Sequence, residues 1–388
     1  MAAKRILIIS ASIGGGHVAA ARALEAAFAE RGADVTHIDL LDYTSKPFRR
    51  FYSQAYFDLV RTAPEFVDWL GRRLDRTPGE QKSRQEKLRA RLTRLVSFYL
   101  PRLIKRYEPD FIVHTHFLAP ELLSSRLAPA LLRERDNRTS IPQAIVITDF
   151  FAHSFWFQPG VDRYFVASDE VAVHLSASGV DPERIRVSGI PIDLRFSGLE
   201  SKTDARRTLG YSEDRDLMLI MAGGLDAPLV KTLVNSLKTL RWPLTATFVF
   251  GRSTDLLDLA TRELGDYDGL ASFDMVGFSK EIPTYMSAAD LLVGKPGGLT
   301  SSEALAARLP FAIVQPYPLQ EEANTSYLLE NGAAMRIEPL SVFNHKVKHF
   351  FEAPELRKRM RSAAGRIAKA NAAREIVTSL LDDAKFKL

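Results

Sequence analysis

The residues of this 388-residue sequence that most clearly indicate a chemical function form a glycine-rich turn near its C-terminal third. The apolar run from Leu291 to Val293 predicts a strand, residues 294–298 (GKPGG) predict a turn, and Thr300 to Arg308 predict a helix. Backbone N–H groups at the start of such a helix attract an anion, typically a phosphate. Glu303 lies one turn further along, where a carboxylate can accept hydrogen bonds from the vicinal hydroxyls of a ribose. The sequence therefore predicts a nucleotide diphosphate site.

A second glycine turn, residues 12–17 (SIGGGH), separates the first predicted strand from the first predicted helix. Gly14, Gly16 and Ala19 fit the Gly-x-Gly-x-x-Gly/Ala pattern of dinucleotide-binding proteins. Asp39 lies near the place where an acidic ribose ligand would follow. This turn keeps an NAD-type oxidoreductase open as an alternative function.

Two polar side chains near predicted strand ends are candidates for proton transfer. His17 follows the second glycine turn, and the positive end of a helix dipole there would lower its pKa, so that a neutral imidazole could accept a proton. Asp149 follows another predicted strand and could orient His17 or act as the base itself. The structural alternatives are a histidine that hydrogen-bonds its own loop and an aspartate that caps a helix.

The sequence offers little for metal or thiol chemistry. It contains no cysteine, which excludes disulfides, thiolate zinc sites and a cysteine nucleophile. His114 with His116, and His345 with His349, have spacings that could suit a metal, but neither pair has the neighbouring Glu or third ligand of a known zinc motif. No metal site is predicted.

Length and patterning predict an α/β protein with two doubly wound, Rossmann-like domains that face each other across a cleft. The predicted parts are a first domain over residues 1–193, a linker over 194–215, a second domain over 216–353, and C-terminal helices over 354–388 that could pack back on the first domain. No run approaches the roughly 18 apolar residues of a spanning helix, and no signal-peptide pattern opens the chain. We therefore expect a cytoplasmic protein.

Positive charge is concentrated in one window. Lys46 to Arg106 contains 16 Lys and Arg against 6 Asp and Glu, a net charge of +10 in a chain whose total is +5. Aromatic residues interleave with these charges, a composition that suits an anionic membrane surface or a nucleic acid. The simpler alternative is a solvated helix face with its aromatic residues in the core.

Together these motifs resemble one family. Five segments occur in the order seen in the monogalactosyldiacylglycerol synthase and processive diacylglycerol glucosyltransferase family: 14–17 (GGGH), 148–156 (TDFFAHSFW), 187–193 (VSGIPID), 294–303 (GKPGGLTSSE) and 320–324 (QEEAN). The resemblance covers nearly the whole chain. It implies the GT-B fold, as in the related peptidoglycan N-acetylglucosaminyltransferase MurG, and inverting transfer of a hexose from a UDP-sugar to a lipid such as diacylglycerol.

The resemblance also implies roles for individual residues. His17 would be the general base; Asp149 stays a second catalytic candidate because of its position after a predicted strand. The UDP-sugar, UDP-glucose or UDP-galactose, would be bound without a metal by the following residues: Gly15, Gly16, Gly223, Gly224, Gly277, Phe278, Lys295, Pro296, Gly297, Gly298, Leu299, Thr300, Glu303, Gln320, Glu321 and Asn324. The Lys46 to Arg106 window would dock the enzyme peripherally on the inner face of the cell membrane, and no nucleic acid would bind. A MurG-like transferase with another acceptor remains an alternative.

Overall fold

The computed structural model describes residues 4–12, 15–44, 100–124, 141–158, 160–383 and 386. The chain divides into two compact units. The first unit comprises Met1–Leu194, Pro318–Gln320 and Asn371–Leu388, and the second comprises Arg195–Tyr317 and Glu321–Ala370.

The first unit contains a six-stranded parallel sheet with the order β2-β1-β3-β4-β5-β6. Its strands are β1 (Arg5–Ser10), β2 (Asp34–Asp39), β3 (Phe111–His114), β4 (Gln143–Val146), β5 (Arg163–Val166) and β6 (Ile185–Val187). The inner strands read as continuous apolar runs because both faces of a parallel sheet are covered. β3 and β4, for example, are buried at every position.

Helices cover both faces of this sheet. They are α1 (Gly15–Glu30), α2 (Leu100–Tyr107), α3 (Leu118–Ser124), α4 (Asp169–Ala177) and α13 (Ala372–Asp382). On one face, Phe28 of α1 and Ile376 of α13 share a core with β1 and β3. On the other face, Leu103 and Ile104 of α2 pack against the opposite side chains of β1.

The second unit contains another six-stranded parallel sheet, with the order β12-β11-β10-β7-β8-β9. Its strands are β7 (Asp216–Met221), β8 (Leu244–Val249), β9 (Ser272–Val276), β10 (Leu291–Gly294), β11 (Phe311–Ile313) and β12 (Ala334–Arg336). Its helices are α5 (Lys202–Leu209), α6 (Ala227–Thr239), α7 (Thr254–Leu264), α8 (Ile282–Ala288), α9 (Gly298–Ala306), α10 (Gln320–Glu330), α11 (Phe343–Glu352) and α12 (Pro354–Ile367). This strand order is that of the doubly wound Rossmann fold. The first sheet also reverses its order, between β1 and β3, so the predicted α/β class with two doubly wound units is confirmed.

The segment predicted as a linker, residues 194–215, is folded and largely belongs to the second unit. Ser201 caps α5 by accepting a hydrogen bond from the N–H of Asp204, and Gly210 ends the helix with a φ of 74°. The polar sequence does not reveal this helix, because it buries only the small side chain of Ala205 and an arginine, Arg206, which is 3% exposed.

The C-terminal segment predicted as one piece, residues 354–388, is divided between the units. α12 belongs to the second unit and packs against α9 and α11. α13 belongs to the first unit and packs against α1, where Arg374 binds both carboxylate oxygens of Glu30 at 2.7 and 2.9 Å.

Most of the predicted basic window, residues 46–99, lies outside the described residues. Its last part is α2, where Arg102, Lys105 and Arg106 are exposed while Leu103 and Ile104 are in the core. In this described part the basic side chains therefore lie on the exposed face of the helix. Among the described residues, no helix combines the length and apolar character needed to cross a membrane.

Candidate active site

Both glycine turns predicted from the sequence lie at the point where the strand order of their own sheet reverses. In the first sheet β1 pairs with β2 on one side and β3 on the other, and α1 follows β1. In the second sheet β7 pairs with β8 and β10, so the turns after β7 and β10 flank the equivalent point. Ligands of doubly wound sheets bind at this position, outside the carboxyl ends of the strands.

His17, in the first turn of α1, is held by residues that follow β3 and β4. Its Nδ1 lies 2.8 Å from the backbone oxygen of Thr115 and 2.9 Å from Oγ1 of Thr148. The hydroxyl of Thr115 in turn donates to the backbone oxygen of His17 at 2.9 Å. The imidazole is therefore fixed in orientation relative to the sheet.

These contacts also determine which ring nitrogen of His17 is basic. A carbonyl oxygen only accepts hydrogen bonds, so the contact with Thr115 requires a proton on Nδ1. In the neutral ring, Nε2 then carries the lone pair. The arrangement leaves Nε2 as the atom that can take a proton.

The surroundings of His17 keep its ring neutral. The half-buried imidazole lies edge-on to His116, with ring centroids 4.6 Å apart, and Trp156 is 6.4 Å away. Burial lowers the pKa of His17 to about 4, although the hydrogen bond to Thr115 acts in the opposite direction. The pKa of His17 is lowered, as expected from the sequence, but the principal cause is burial and not the helix dipole.

His116 is a buried neighbour of His17 that the sequence motifs did not single out as part of this site. Its Nδ1 accepts a hydrogen bond from the N–H of Leu118 at 3.1 Å. Burial, and then the proximity of His17 and His153, hold the pKa of His116 well below its usual value. The imidazole of His116 is thus a neutral group packed beside the candidate base.

Asp149 directly follows Thr148, the residue whose hydroxyl contacts His17, and it is half-buried. The contacts that orient Nδ1 of His17 come from Thr115 and Thr148. Sequence reasoning missed both threonines, although each lies just past a strand end as the predicted site residues do.

Asp39, the acidic residue predicted for the dinucleotide pattern, is hydrogen-bonded to the backbone through one carboxylate oxygen. Asp39 accepts hydrogen bonds from the N–H groups of Ser12 at 3.2 Å and Leu41 at 3.0 Å. One bond joins the loop after β1 to the end of β2, and the other caps the 3-10 turn that follows β2. Oδ1 of Asp39 therefore has a structural role, which leaves less support for the ribose-binding role that the NAD alternative requires. Gly15 is exposed and Gly16 is half-buried at the start of α1.

In the second unit, the residues of the predicted anion site form the turn between β10 and α9. Gly297 is the N-cap residue of α9 and makes no side-chain cap hydrogen bond. The first turn closes with the N–H of Ser301 on the oxygen of Gly297 at 2.9 Å, so the N–H groups of Gly298, Leu299 and Thr300 lie ahead of the hydrogen-bonded turns. Such groups attract an anion.

The predicted side chains of this turn have different environments. Pro296, Gly298 and Leu299 are buried, and they can contribute main-chain atoms more readily than side chains. Glu303 lies in the second turn of α9 and is half-buried. Gln320 is the first residue of α10 and is also half-buried.

Lys295 and Glu321 are brought together by Tyr317, a residue that sequence reasoning did not select. The ammonium nitrogen of Lys295 lies 3.4 Å from the centroid of the Tyr317 ring. The N–H of Tyr317 donates to Oε2 of Glu321 at 2.6 Å. Burial raises the pKa of Glu321, whereas this hydrogen bond and the charge of Lys295 act to lower it.

Asn324, predicted to contact the ligand, has a fully buried side chain. Its Nδ2 donates to the backbone oxygen of Pro296 at 2.9 Å. The residue thereby ties α10 to the glycine turn from within the unit. We therefore infer that Asn324 supports the shape of the turn.

Gly223 and Gly224 form a short turn after β7, and the structure separates their roles. A Cβ atom on Gly223 would lie 2.7 Å from the backbone oxygen of Phe250, whereas one on Gly224 would meet nothing within 4 Å. Only the first position therefore requires glycine for packing. Gly224 is exposed and leaves its backbone open to a ligand.

Gly277 and Phe278 follow β9 at the same sheet edge. The side chain of Phe278 is 61% exposed, and the guanidinium carbon of Arg252 lies 5.5 Å from the centroid of its ring. An exposed aromatic ring beside a cation offers a surface on which a base could stack.

Among the described residues, no group of three or more His, Asp or Glu side chains is arranged to hold a metal ion. Of the two histidine pairs considered from the sequence, His114 makes a hydrogen bond from Nε2 to Oε1 of Gln143 at 3.0 Å. His345 and His349 lie on the exposed side of α11.

Comparison with known proteins bears on the family. Residues 17–192 match the family described as Monogalactosyldiacylglycerol (MGDG) synthase. The "Processive diacylglycerol beta-glucosyltransferase" of Bacillus cytotoxicus is 28% identical over 385 residues, which cover 98% of this chain and 94% of that protein. The resemblance to the diacylglycerol glycosyltransferase family is confirmed. It extends over both units, as the sequence motifs indicated.

Solved structures bear on the fold. MurG from Acinetobacter baumannii superposes with a TM-score of 0.63 at 18% identity, covering 97% of this chain and 99% of that one. A UDP-GlcNAc 2-epimerase from Neisseria meningitidis, bound to UDP-GlcNAc, superposes with a TM-score of 0.60 at 11% identity and covers 97% of this chain and 99% of that one. The predicted GT-B fold is confirmed. Because an epimerase shares it, the fold alone does not decide the reaction.

Proposed function

We propose that this chain is an inverting glycosyltransferase that moves a hexose, preferentially glucose, from a UDP-sugar to diacylglycerol. The observation that carries the proposal is His17, whose Nδ1 is held by a carbonyl oxygen so that Nε2 is free to act as a base. The names of its relatives supply the substrate class, since the Bacillus cytotoxicus protein is a diacylglycerol beta-glucosyltransferase.

The reaction proposed for His17 balances as a single displacement. Nε2 of His17 takes the proton of the acceptor hydroxyl while its oxygen attacks C1 of the hexose. The bond from C1 to the β-phosphate oxygen breaks, and UDP leaves with the bonding electron pair. Attack opposite the leaving group inverts the configuration, which converts an α-linked UDP-glucose into a β-glucoside. Asp149, next to Thr148 in the chain, is proposed to assist at the acceptor side.

The leaving group would be stabilised by the second unit. Negative charge grows on the β-phosphate as the bond breaks, and the N–H groups at the start of α9 and the ammonium of Lys295 can balance it. We assign the ribose hydroxyls to Glu303, the sugar hydroxyls to Gln320 and Glu321, and the uracil to Gly277 and Phe278. With these groups in place, we propose that transfer needs no metal ion.

A substrate screen tests the proposal directly. Purified full-length protein is incubated with UDP-glucose or UDP-galactose, with diacylglycerol or another lipid acceptor, and the products are identified by mass spectrometry. We expect β-glucosyldiacylglycerol as the main product, also in the presence of EDTA. Transfer only to a different acceptor would support the alternative MurG-like transferase, and binding of NAD instead of UDP would support an oxidoreductase.

The two neighbouring glycines give a matched test of the donor site. Gly223→Ala is expected to lower the free energy of unfolding by about 1–3 kcal/mol, because its methyl group collides with the backbone at Phe250. Gly224→Ala is expected to leave the melting temperature unchanged but to weaken UDP binding, measured by calorimetry. Normal UDP affinity in Gly224→Ala would remove this turn from the proposed nucleotide site.

Membrane docking is proposed to use the Lys46 to Arg106 window, with the protein at the cytoplasmic face of the membrane. The support is the +10 net charge of this window and the exposed basic side chains of α2 at its end. A lipid acceptor requires access to a membrane, which favours this docking over binding to a nucleic acid.

A further inference from the structure

Two non-glycine residues of the loop between β11 and α10 have a backbone conformation that is usual only for glycine. Gln315 and Leu319 have φ values of 46° and 71°, in the left-handed region that favours glycine. Between them, Pro316 and Pro318 fix the backbone on either side of Tyr317. Strained backbone of this kind persists where the surrounding structure requires one conformation, often at a functional site.

This loop presents Tyr317 to two charged residues of opposite sign through different parts of the residue. The ring face lies 3.4 Å from the ammonium nitrogen of Lys295, well within the range of a cation–π interaction. The backbone N–H binds the carboxylate of Glu321 at 2.6 Å. A single residue therefore fixes one cation and one anion.

The side chain of Lys295 lies next to the proposed anion site, so its order before binding affects the affinity for an anion. Lys295 lies directly between Gly294, the last residue of β10, and the N-terminal turn of α9. A free lysine side chain has many rotamers, and ordering it on ligand binding reduces affinity. A lysine already held against a ring loses less entropy.

We infer that Tyr317 is a positioning residue of the donor site, whose ring holds Lys295 ready for the diphosphate of the nucleotide while its backbone holds Glu321. This inference rests on the proposed function, because it assigns the anion to a UDP-sugar. Tyr317 lies between the segments 294–303 and 320–324 that resemble the family, and its contacts with Lys295 and Glu321 indicate this role.

The test compares two substitutions at Tyr317 by calorimetry with UDP and with uridine. Tyr317→Phe keeps the ring face, whereas Tyr317→Leu removes it; both keep the backbone N–H that binds Glu321. Tyr317→Leu is expected to weaken UDP binding by about 5-fold, within the roughly 2- to 30-fold that a cation–π contact corresponds to. Uridine, which has no phosphate, should bind as to the wild type. Tyr317→Phe should behave as the wild type with both ligands.

Three results would overturn the inference: wild-type UDP affinity in Tyr317→Leu, equal losses in both variants, or equal losses for UDP and uridine. A second measurement separates it from the proposed function. The ε-methylene protons of Lys295, identified by their absence in Lys295→Met, should be shifted upfield by the ring in the NMR spectra of wild type and Tyr317→Phe only. If the wild type did not bind UDP, the proposed function would be wrong, and an unshifted Lys295 would separately disprove its placement by Tyr317.

Discussion

His17→Asn is expected to reduce hexosyl transfer by about 10²- to 10⁴-fold, the usual contribution of a general base, while the fold and UDP affinity are retained. Asparagine suits this test because its Nδ2 can donate to the oxygen of Thr115, as Nδ1 of histidine does at 2.8 Å. It has no atom equivalent to the basic Nε2. The variant therefore removes the proposed chemistry with little change in the local hydrogen bonding. Steady-state kinetics with UDP-glucose and diacylglycerol measure the effect.

The pH dependence of the transfer reaction gives a second test of His17 as the general base. Because burial lowers the pKa of His17 to about 4, the neutral base predominates above that pH, and kcat/KM should fall only as the pH approaches 4. An unperturbed histidine would instead lose activity near pH 6.5. The residual activity of His17→Asn should lack this acid limb.

Two further variants complete the comparison with His17. His349→Gln changes an exposed histidine on α11 and should leave transfer unchanged. Asp149→Asn addresses the competing candidate for the base. Near-normal turnover in His17→Asn, together with a large loss in Asp149→Asn, would transfer the role of base to Asp149.

Arg206→Met is expected to lower the free energy of unfolding by about 2–4 kcal/mol, because it leaves the buried carboxylate of Asp290 with Lys202 as its remaining cationic partner and removes the donor to three backbone oxygens. Arg206 is 3% exposed, and its guanidinium binds Asp290 at 2.7 Å. It also donates to the backbone oxygens of Ala288 at 3.0 Å, Ser212 at 3.2 Å and Glu213 at 2.7 Å. Methionine can fill part of the volume but can satisfy none of these acceptors.

Arg207→Met provides the matched control for Arg206, because the two arginines are adjacent on α5. The Arg207 side chain is 69% exposed, and its ion pair with Asp204 lies at the surface, where such pairs contribute little. Urea unfolding followed by circular dichroism should separate the two variants clearly. Similar unfolding midpoints would show that the buried contacts of Arg206 do not stabilise the second unit.

The buried arginine illustrates a limit of reading the sequence. Residues 194–215 were predicted to be a linker because they are polar, yet Arg206 and Asp290 are 84 positions apart in sequence and form a buried ion pair. Hydrophobic periodicity identifies a helix by its apolar face. It cannot identify a helix that buries an arginine, because the partner that makes this burial favourable, Asp290, lies just before the distant strand β10.

The sequence by itself determined the α/β architecture, the two glycine turns and the resemblance to the diacylglycerol glycosyltransferases. Parallel strands buried on both faces must be continuous apolar runs, and a turn that opens a helix toward an anion needs small residues. These are local requirements, so β1, β7 and β10 and the turns after them could be predicted from neighbouring residues. His17 was found in the same way, from its position after the first turn.

The tertiary structure alone decided how these residues are held. Thr115 is 98 positions from His17 and Thr148 is 131 positions away, yet their contacts determine which nitrogen of His17 is basic. Tyr317 is placed against Lys295 by the loop after β11. A proton position or the orientation of an ammonium group depends on contacts between strand ends, and strands that are neighbours in a sheet are often distant in the chain.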